Sequence, residues 1–162
     1  MRDDDDFAVF VGLMTVLLRD YSLEIYHYAL MPNHYHLVVH APEPGELSLF
    51  MKRLGYRYTI AHKVKYGGYG RLWQNRFRSR TIRNDADLLT VGLYVDLNPV
   101  RAGLCRLARE WQWSSARPNL SGRLPGFLTP NPAYLALGSS GQGRAEAYCA
   151  MVDGFSAPNR SS

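Results

Sequence analysis

Two extended stretches separated by a proline–asparagine pair constrain this chain more than anything else in it: Leu23 to Leu30, and His34 to His40. In the first, Leu23, Ile25, His27 and Ala29 alternate with Tyr26, Tyr28 and Leu30, the period-two pattern of a β-strand. In the second, most residues are β-branched, aromatic or aliphatic, which suits a strand. So short a connection implies an antiparallel hairpin turning at Met31-Pro32-Asn33. Side chains alternate across a strand, so His34 and His36 project from one face with Cα atoms roughly 6.5–7 Å apart. Two imidazoles at that separation can close on one metal ion. For such a pair taken alone, the plainer account is a sheet that happens to carry two histidines. His27 reads as a sheet residue. His40 shares the face of His34 and His36 but sits where the strand gives way to Ala41-Pro42-Glu43-Pro44-Gly45, and ranks below them as a ligand.

The 162 residues, 46% of them hydrophobic, suffice for one domain with a real core. Phe7 to Leu18 is apolar and reads as a buried helix whose N-terminal end is favoured by Asp3 to Asp6. It is too short for a membrane span and has neither the basic leader nor the small-residue cleavage site of a signal peptide. Cys105 and Cys149, far apart in sequence, fit a reducing compartment and support neither a disulfide framework nor a zinc site. A cytoplasmic protein with no membrane partner is the expectation.

Charge is more informative. The net charge is +5, and between Lys52 and Arg83 stand ten Lys or Arg (Lys52, Arg53, Arg57, Lys63, Lys65, Arg71, Arg76, Arg78, Arg80, Arg83) with no Asp or Glu. From Glu46 to about Tyr66, Leu47, Phe50, Met51, Leu54, Tyr58 and Ala61 recur at three and four residues, an amphipathic helix with a basic outer face. The opposite sign is missing altogether between Lys52 and Arg83, so the pairs that normally balance a solvated face cannot form. Gly67-Gly68-Tyr69-Gly70 breaks the helix as a flexible turn. In Leu72 to Ile82, Arg76, Arg78 and Arg80 alternate with Phe77, Ser79 and Thr81, so in a strand the guanidinium groups would line one face. Lys52, Arg53, Arg57, Lys63, Arg71, Arg76, Arg78 and Arg80, interleaved with aromatics such as Trp73, suit single-stranded nucleic acid: cations for phosphates, π-faces for unstacked bases. An aromatic core beneath a basic rim is the alternative.

A further helix follows, capped by Asn84, with Asp85 and Asp87 in its first turn and Pro99 as its expected stop. Tyr94 and Asn98, four residues apart, lie on one face of it, about 6 Å apart along the axis. A phenol and a carboxamide are presented together, although Tyr94 could equally be a core or rim tyrosine. Beyond Pro99, Trp111 and Trp113 should pack the end of the domain, Arg117 to Pro132 reads as a loop, Pro132 to Leu137 and Arg144 to Val152 as short helices, and Phe155 to Ser162 as a frayed end. No internal repeat is present.

These pieces in this order (Met31-Pro32-Asn33-His34-Tyr35-His36, Leu72-Trp73-Gln74-Asn75-Arg76-Phe77, Tyr94-Val95-Asp96-Leu97-Asn98-Pro99-Val100-Arg101-Ala102-Gly103-Leu104 and Trp111-Gln112-Trp113-Ser114-Ser115) resemble the REP-associated tyrosine transposases of bacteria, single-tyrosine HUH nucleases of the IS200-like transposase family. The resemblance runs from roughly Phe7 to Ser115. It implies an α+β fold, an antiparallel sheet with packed helices, in residues 1–117, followed by a loop-rich tail with short helices over 118–162. The strand with which members of the family usually open has no counterpart before Phe7, which would leave a sheet edge exposed.

The same resemblance implies that Tyr94 is a nucleophile and that His34 and His36, with Asn98 as third ligand, hold a divalent metal, magnesium or manganese. It further implies a metal-dependent endonuclease and strand transferase on single-stranded or hairpin DNA, working through a 5′-phosphotyrosine link as a monomer or homodimer. Two other readings stay open: a noncatalytic DNA-binding relic of such an enzyme, and a metal-dependent hydrolase in which Tyr94 only packs.

Overall fold

The computed structural model describes residues 1–156, so the expected fraying of Phe155 to Ser162 falls mostly outside the described residues. The architecture is α+β: a two-stranded antiparallel sheet and packed helices. The elements run α1 (Asp4–Leu17), β1 (Glu24–Leu30), β2 (Tyr35–His40), α2 (Glu46–Tyr66), α3 (Asp85–Arg101), α4 (Ala116–Ser121), α5 (Pro132–Leu135) and α6 (Gly141–Ser156). They fall into two compact units, one made of residues 1–24 and 40–81, the other of residues 25–39 and the chain from Ile82 onward. No helix of the described residues is long and apolar enough to cross a membrane.

In the first unit α1 packs on α2. Asp3 caps α1, its Oδ1 accepting from the Asp6 amide at 3.0 Å, and Phe7, Phe10, Met14 and Leu17 recur at three and four residues to bury one stripe. On α2 the buried side chains are Phe50, Met51, Leu54 and Tyr58, and the helix ends at Gly67, whose φ of 70° suits glycine. The basic face of α2 is not as unbalanced as its own sequence suggests. Lys65 lies 2.6 Å from Asp3 Oδ1, 3.5 Å from Asp5 and 3.4 Å from Asp6, and Arg53 lies 3.9 Å from Asp20. The carboxylates come from the first twenty residues, which no search of the helix itself would find.

Residues 72–82 carry no regular secondary structure, so the strand that would align Arg76, Arg78 and Arg80 is absent. Alternation states which face a residue would take, not whether a neighbouring strand exists to hold the ladder. Trp73 is nonetheless fixed: its indole N–H donates to the Gly55 carbonyl at 3.1 Å, and its ring meets Tyr58 at 5.8 Å and Phe10 at 6.5 Å between centroids.

In the second unit the hairpin forms as expected, with the Met31 amide donating to the His34 carbonyl at 2.8 Å. The other edge of β1 is covered by irregular chain: Leu30 N–H donates to Trp113, Ser115 N–H to Tyr28 and Thr129 N–H to Ile25, at 2.8–2.9 Å. Helix α3 lies between two apolar clusters. Val95 packs with Ala29 and Val38 of the sheet, while Leu93 and Leu97 pack with Ala108, Ala116, Tyr134, Tyr148 and Val152. Helix α4 (Ala116–Ser121) takes in the start of the stretch from Arg117 expected to be a loop. Trp111 does close this end, its indole N–H donating to the Leu30 carbonyl at 2.9 Å.

Pro99 does not stop α3, which runs on to Arg101. It sits in the last turn, where it forgoes the one amide bond that residue 99 would give to the Val95 carbonyl without ending the helix. The stop is Gly103 instead, at φ 70°: its N–H donates to Val100 and that of Leu104 to Pro99, both at 2.9 Å, a Schellman closure that needs a left-handed residue.

Candidate active site

Four of the residues expected to carry chemistry lie in the second unit. His34 is exposed at the mouth of β2, and its Nδ1 is 2.7 Å from Asn33 Oδ1. That oxygen only accepts, so Nδ1 carries the hydrogen and, in the neutral ring, Nε2 is the nitrogen with the lone pair. His36 stands two residues on, and the two rings meet edge to face with centroids 5.0 Å apart. The His36 Nε2 atom is buried and has no hydrogen-bond partner among the described residues. Burial, and secondarily the neighbouring His34, push the His36 pKa below its ordinary value, which favours the neutral ring that a metal needs. A buried, unsatisfied nitrogen beside a second free imidazole lone pair fits a cation of mixed nitrogen and oxygen ligation. No group of three or more His, Cys, Asp or Glu converges among the described residues. His40 ends β2 and is exposed.

Tyr94 projects from α3 with 43% of its surface exposed, and its ring lies 6.1 Å from that of His36 at 84°. Asn98, one turn on and half-buried, folds back so that Nδ2 donates to the Tyr94 carbonyl at 3.2 Å. That bond occupies the amide nitrogen and turns Oδ1, the atom able to ligate a cation, away from it. Arg101, which the sequence reasoning did not single out, holds its guanidinium carbon 5.0 Å from the Tyr94 ring centroid. Its position seven residues after Tyr94 is the signal that could have found it.

Beneath the tyrosine lies a buried polar network. Asp96, fully buried, accepts from Ser115 through Oδ1, and through Oδ2 from Tyr148 at 2.7 Å, Asn119 at 3.0 Å and His27 Nδ1 at 3.3 Å. Asn131 orients itself by accepting the Tyr134 amide at 2.7 Å and donates Nδ2 to His27 Nε2, also at 2.7 Å. Burial, with Asp96 adding to it, raises the Tyr148 phenol well above the ordinary range, so it stays a donor. Gly92 lets α3 approach: a Cβ there would stand 2.5 Å from His27 Nε2. The network joins β1, α3, α4, α5 and α6 at the level of the helix that carries Tyr94. Its members are 19 to 104 residues apart, so no local pattern announces it.

The residues expected to meet DNA lie in the first unit. Lys52, Arg53, Arg57, Lys63, Arg71, Arg76, Arg78 and Arg80 are all exposed, whereas Trp73 is half-buried and packed as described above. Arg53 rests over Tyr21, 5.7 Å from its ring centroid.

Comparison with known proteins adds an independent line. Two curated relatives are each 29% identical to this chain: a Haemophilus influenzae protein provisionally named a REP-associated tyrosine transposase, over 108 residues, and an Escherichia coli K12 REP-associated tyrosine transposase, over 98. The matches cover 59% and 60% of this chain. They span 60% and 56% of the relatives' lengths, less than two thirds of either. A solved structure of a REP-associated tyrosine transposase bound to a REP hairpin has the same fold, with a TM-score of 0.65 at 23% identity over 79% of this chain and 76% of that one. The family model described as transposase IS200 like matches residues 6–98, a span that takes in His34, His36, Tyr94 and Asn98 and more than half of the sequence; the chain belongs to that family.

Proposed function

We propose that this protein is a metal-dependent single-stranded DNA endonuclease and strand transferase that uses Tyr94 as nucleophile on hairpin-bearing DNA. The observation that carries the reading is the meeting of an exposed tyrosine with His36, whose buried Nε2 has no hydrogen-bond partner among the described residues. His34, His36 and the Asn98 amide oxygen would hold magnesium or manganese, which when bound supplies Lewis acidity to the scissile phosphate. Tyr94 Oη attacks phosphorus; the new O–P bond forms as the P–O3′ bond breaks, the phenol proton passes to solvent, and the departing 3′-oxygen takes up a proton. The downstream DNA stays on Tyr94 through its 5′-phosphate, one phosphodiester exchanged for another, so a second 3′-hydroxyl can reverse the step without ATP. The exposed Lys and Arg of the 52–80 stretch would draw the strand in by charge.

The test is incubation with hairpin DNA labelled at its 5′ or its 3′ end, with magnesium or manganese, beside a Tyr94→Phe variant on a denaturing gel. A protein–DNA band that carries only the 3′ label and is lost in Tyr94→Phe is expected. Cleavage that persists in Tyr94→Phe would leave a hydrolase, and binding with neither cleavage nor adduct would leave a noncatalytic binder.

A further inference from the structure

We propose that Arg101 holds the phosphate on which Tyr94 acts, taking its non-bridging oxygens both before attack and in the phosphotyrosine that results. The proposal rests on the reading of Tyr94 as nucleophile. Tyr94, Asn98 and Arg101 are spaced by four and then three residues on α3, and so form one stripe along the helix. The Arg101 guanidinium lies against the Tyr94 ring, which His36 meets nearly at right angles. The nucleophile's ring therefore touches one residue suited to a metal and one fixed positive charge.

Arg101 is the one Lys or Arg on α3, and among the described residues no carboxylate lies within ion-pair distance of it. Of the acidic residues on its own helix, Asp85 and Asp87 are in the first turn, while Asp96 is fully buried and bonded to His27, Ser115, Asn119 and Tyr148. What holds the guanidinium in the free protein is a cation–π contact with an exposed ring, weaker than a bidentate bond to phosphate. It is thus free to exchange one for the other when DNA arrives. Attack on the phosphodiester adds negative charge to the non-bridging oxygens, and an arginine, always protonated, neutralises that charge without giving up a proton. A lysine would keep the charge and lose the fork.

Two readouts separate this proposal from the reading it rests on. The first is a titration of the arginine-¹⁵N-labelled protein, with magnesium present, by thymidine 5′-monophosphate at millimolar concentrations. The Arg101 Nε–H resonance, identified by its loss in Arg101→Gln, should move, and Arg101→Gln should bind at least about tenfold more weakly, with Arg101→Lys in between. The second is the rate of covalent adduct formation on hairpin DNA, which should fall about a hundredfold in Arg101→Gln while magnesium affinity is retained. An Arg101 resonance that does not move, or adduct formation by Arg101→Gln at the wild-type rate, overturns the proposal. A resonance that moves while no form of the protein makes an adduct supports the phosphate site and overturns the nucleophile.

Discussion

Asp96 stands two residues from the tyrosine, yet it works by being unreachable. Its carboxylate is fully buried and accepts from four side chains, so removing it would strand donors on four other elements or segments. Asp96→Ala should lower stability by roughly 3–5 kcal/mol in urea unfolding, the range for breaking a buried charged network. Gly92→Ala, which drives a methyl group into His27, should cost about 1–3 kcal/mol by overpacking. At the end of the hairpin where the proposed metal would sit, Asn33 Oδ1 accepts from His34 Nδ1. Asn33→Ala should therefore weaken manganese binding, measured calorimetrically, by about tenfold or more; unchanged affinity would show that the Asn33 contact does not orient His34. That His34 stands beside His36, and Asn98 one turn from Tyr94, was legible in the sequence because each spacing repeats a local period, two along a strand and four along a helix; the roles proposed for these residues come from the family resemblance. The Asp96 network was not, since His27 reads as one more sheet residue until Asn131, 104 positions away, is brought to its ring.

At the scale of elements, α1 and α2 are fastened through Asp3. The Lys65 ammonium first, then the Tyr66 hydroxyl and the Asp6 amide, hold its pKa down to about 2 from an ordinary 3.8. A depressed carboxylate contributes stability that is fully present above the unfolded value and is lost as pH falls through the folded one. The contact should therefore weaken between about pH 3.8 and about pH 2, seen as faster amide exchange at the α1 N-terminus. In Lys65→Ala, Asp3 should titrate nearer 3.8, so the loss of stability between about pH 3.8 and about pH 2 should be much smaller than in the parent protein; an unchanged titration would remove Lys65 as its main cause. The helices and hairpin were readable because each carries its own periodicity and caps: Asp3 and Asn84 bind the amides three residues on. The expected strand at residues 72–82 failed because pairing is a property of two segments. Pro99 misled because one forgone bond does not end a helix, whereas the closure needs the left-handed residue at Gly103.

For the whole molecule, the relevant quantity is charge. Eight exposed Lys and Arg expected to meet DNA lie in residues 52–80, and neutralising phosphates releases counterions, so affinity should fall with salt at about 0.7 logarithmic units per contact on single strands. Replacing Arg76, Arg78 and Arg80 together by alanine should flatten that slope by about two, measured by fluorescence anisotropy across a salt series. An unaltered slope would mean that this irregular segment does not meet DNA. The proposed chemistry demands more than binding: Tyr94 itself would become covalently joined to DNA. Its most direct test is mass spectrometry of the protein after reaction with hairpin DNA, nuclease trimming and proteolysis. A nucleotide phosphate on the Tyr94 hydroxyl is the expected result; the same mass on any other residue, or cleaved DNA with Tyr94 unmodified, would contradict the account.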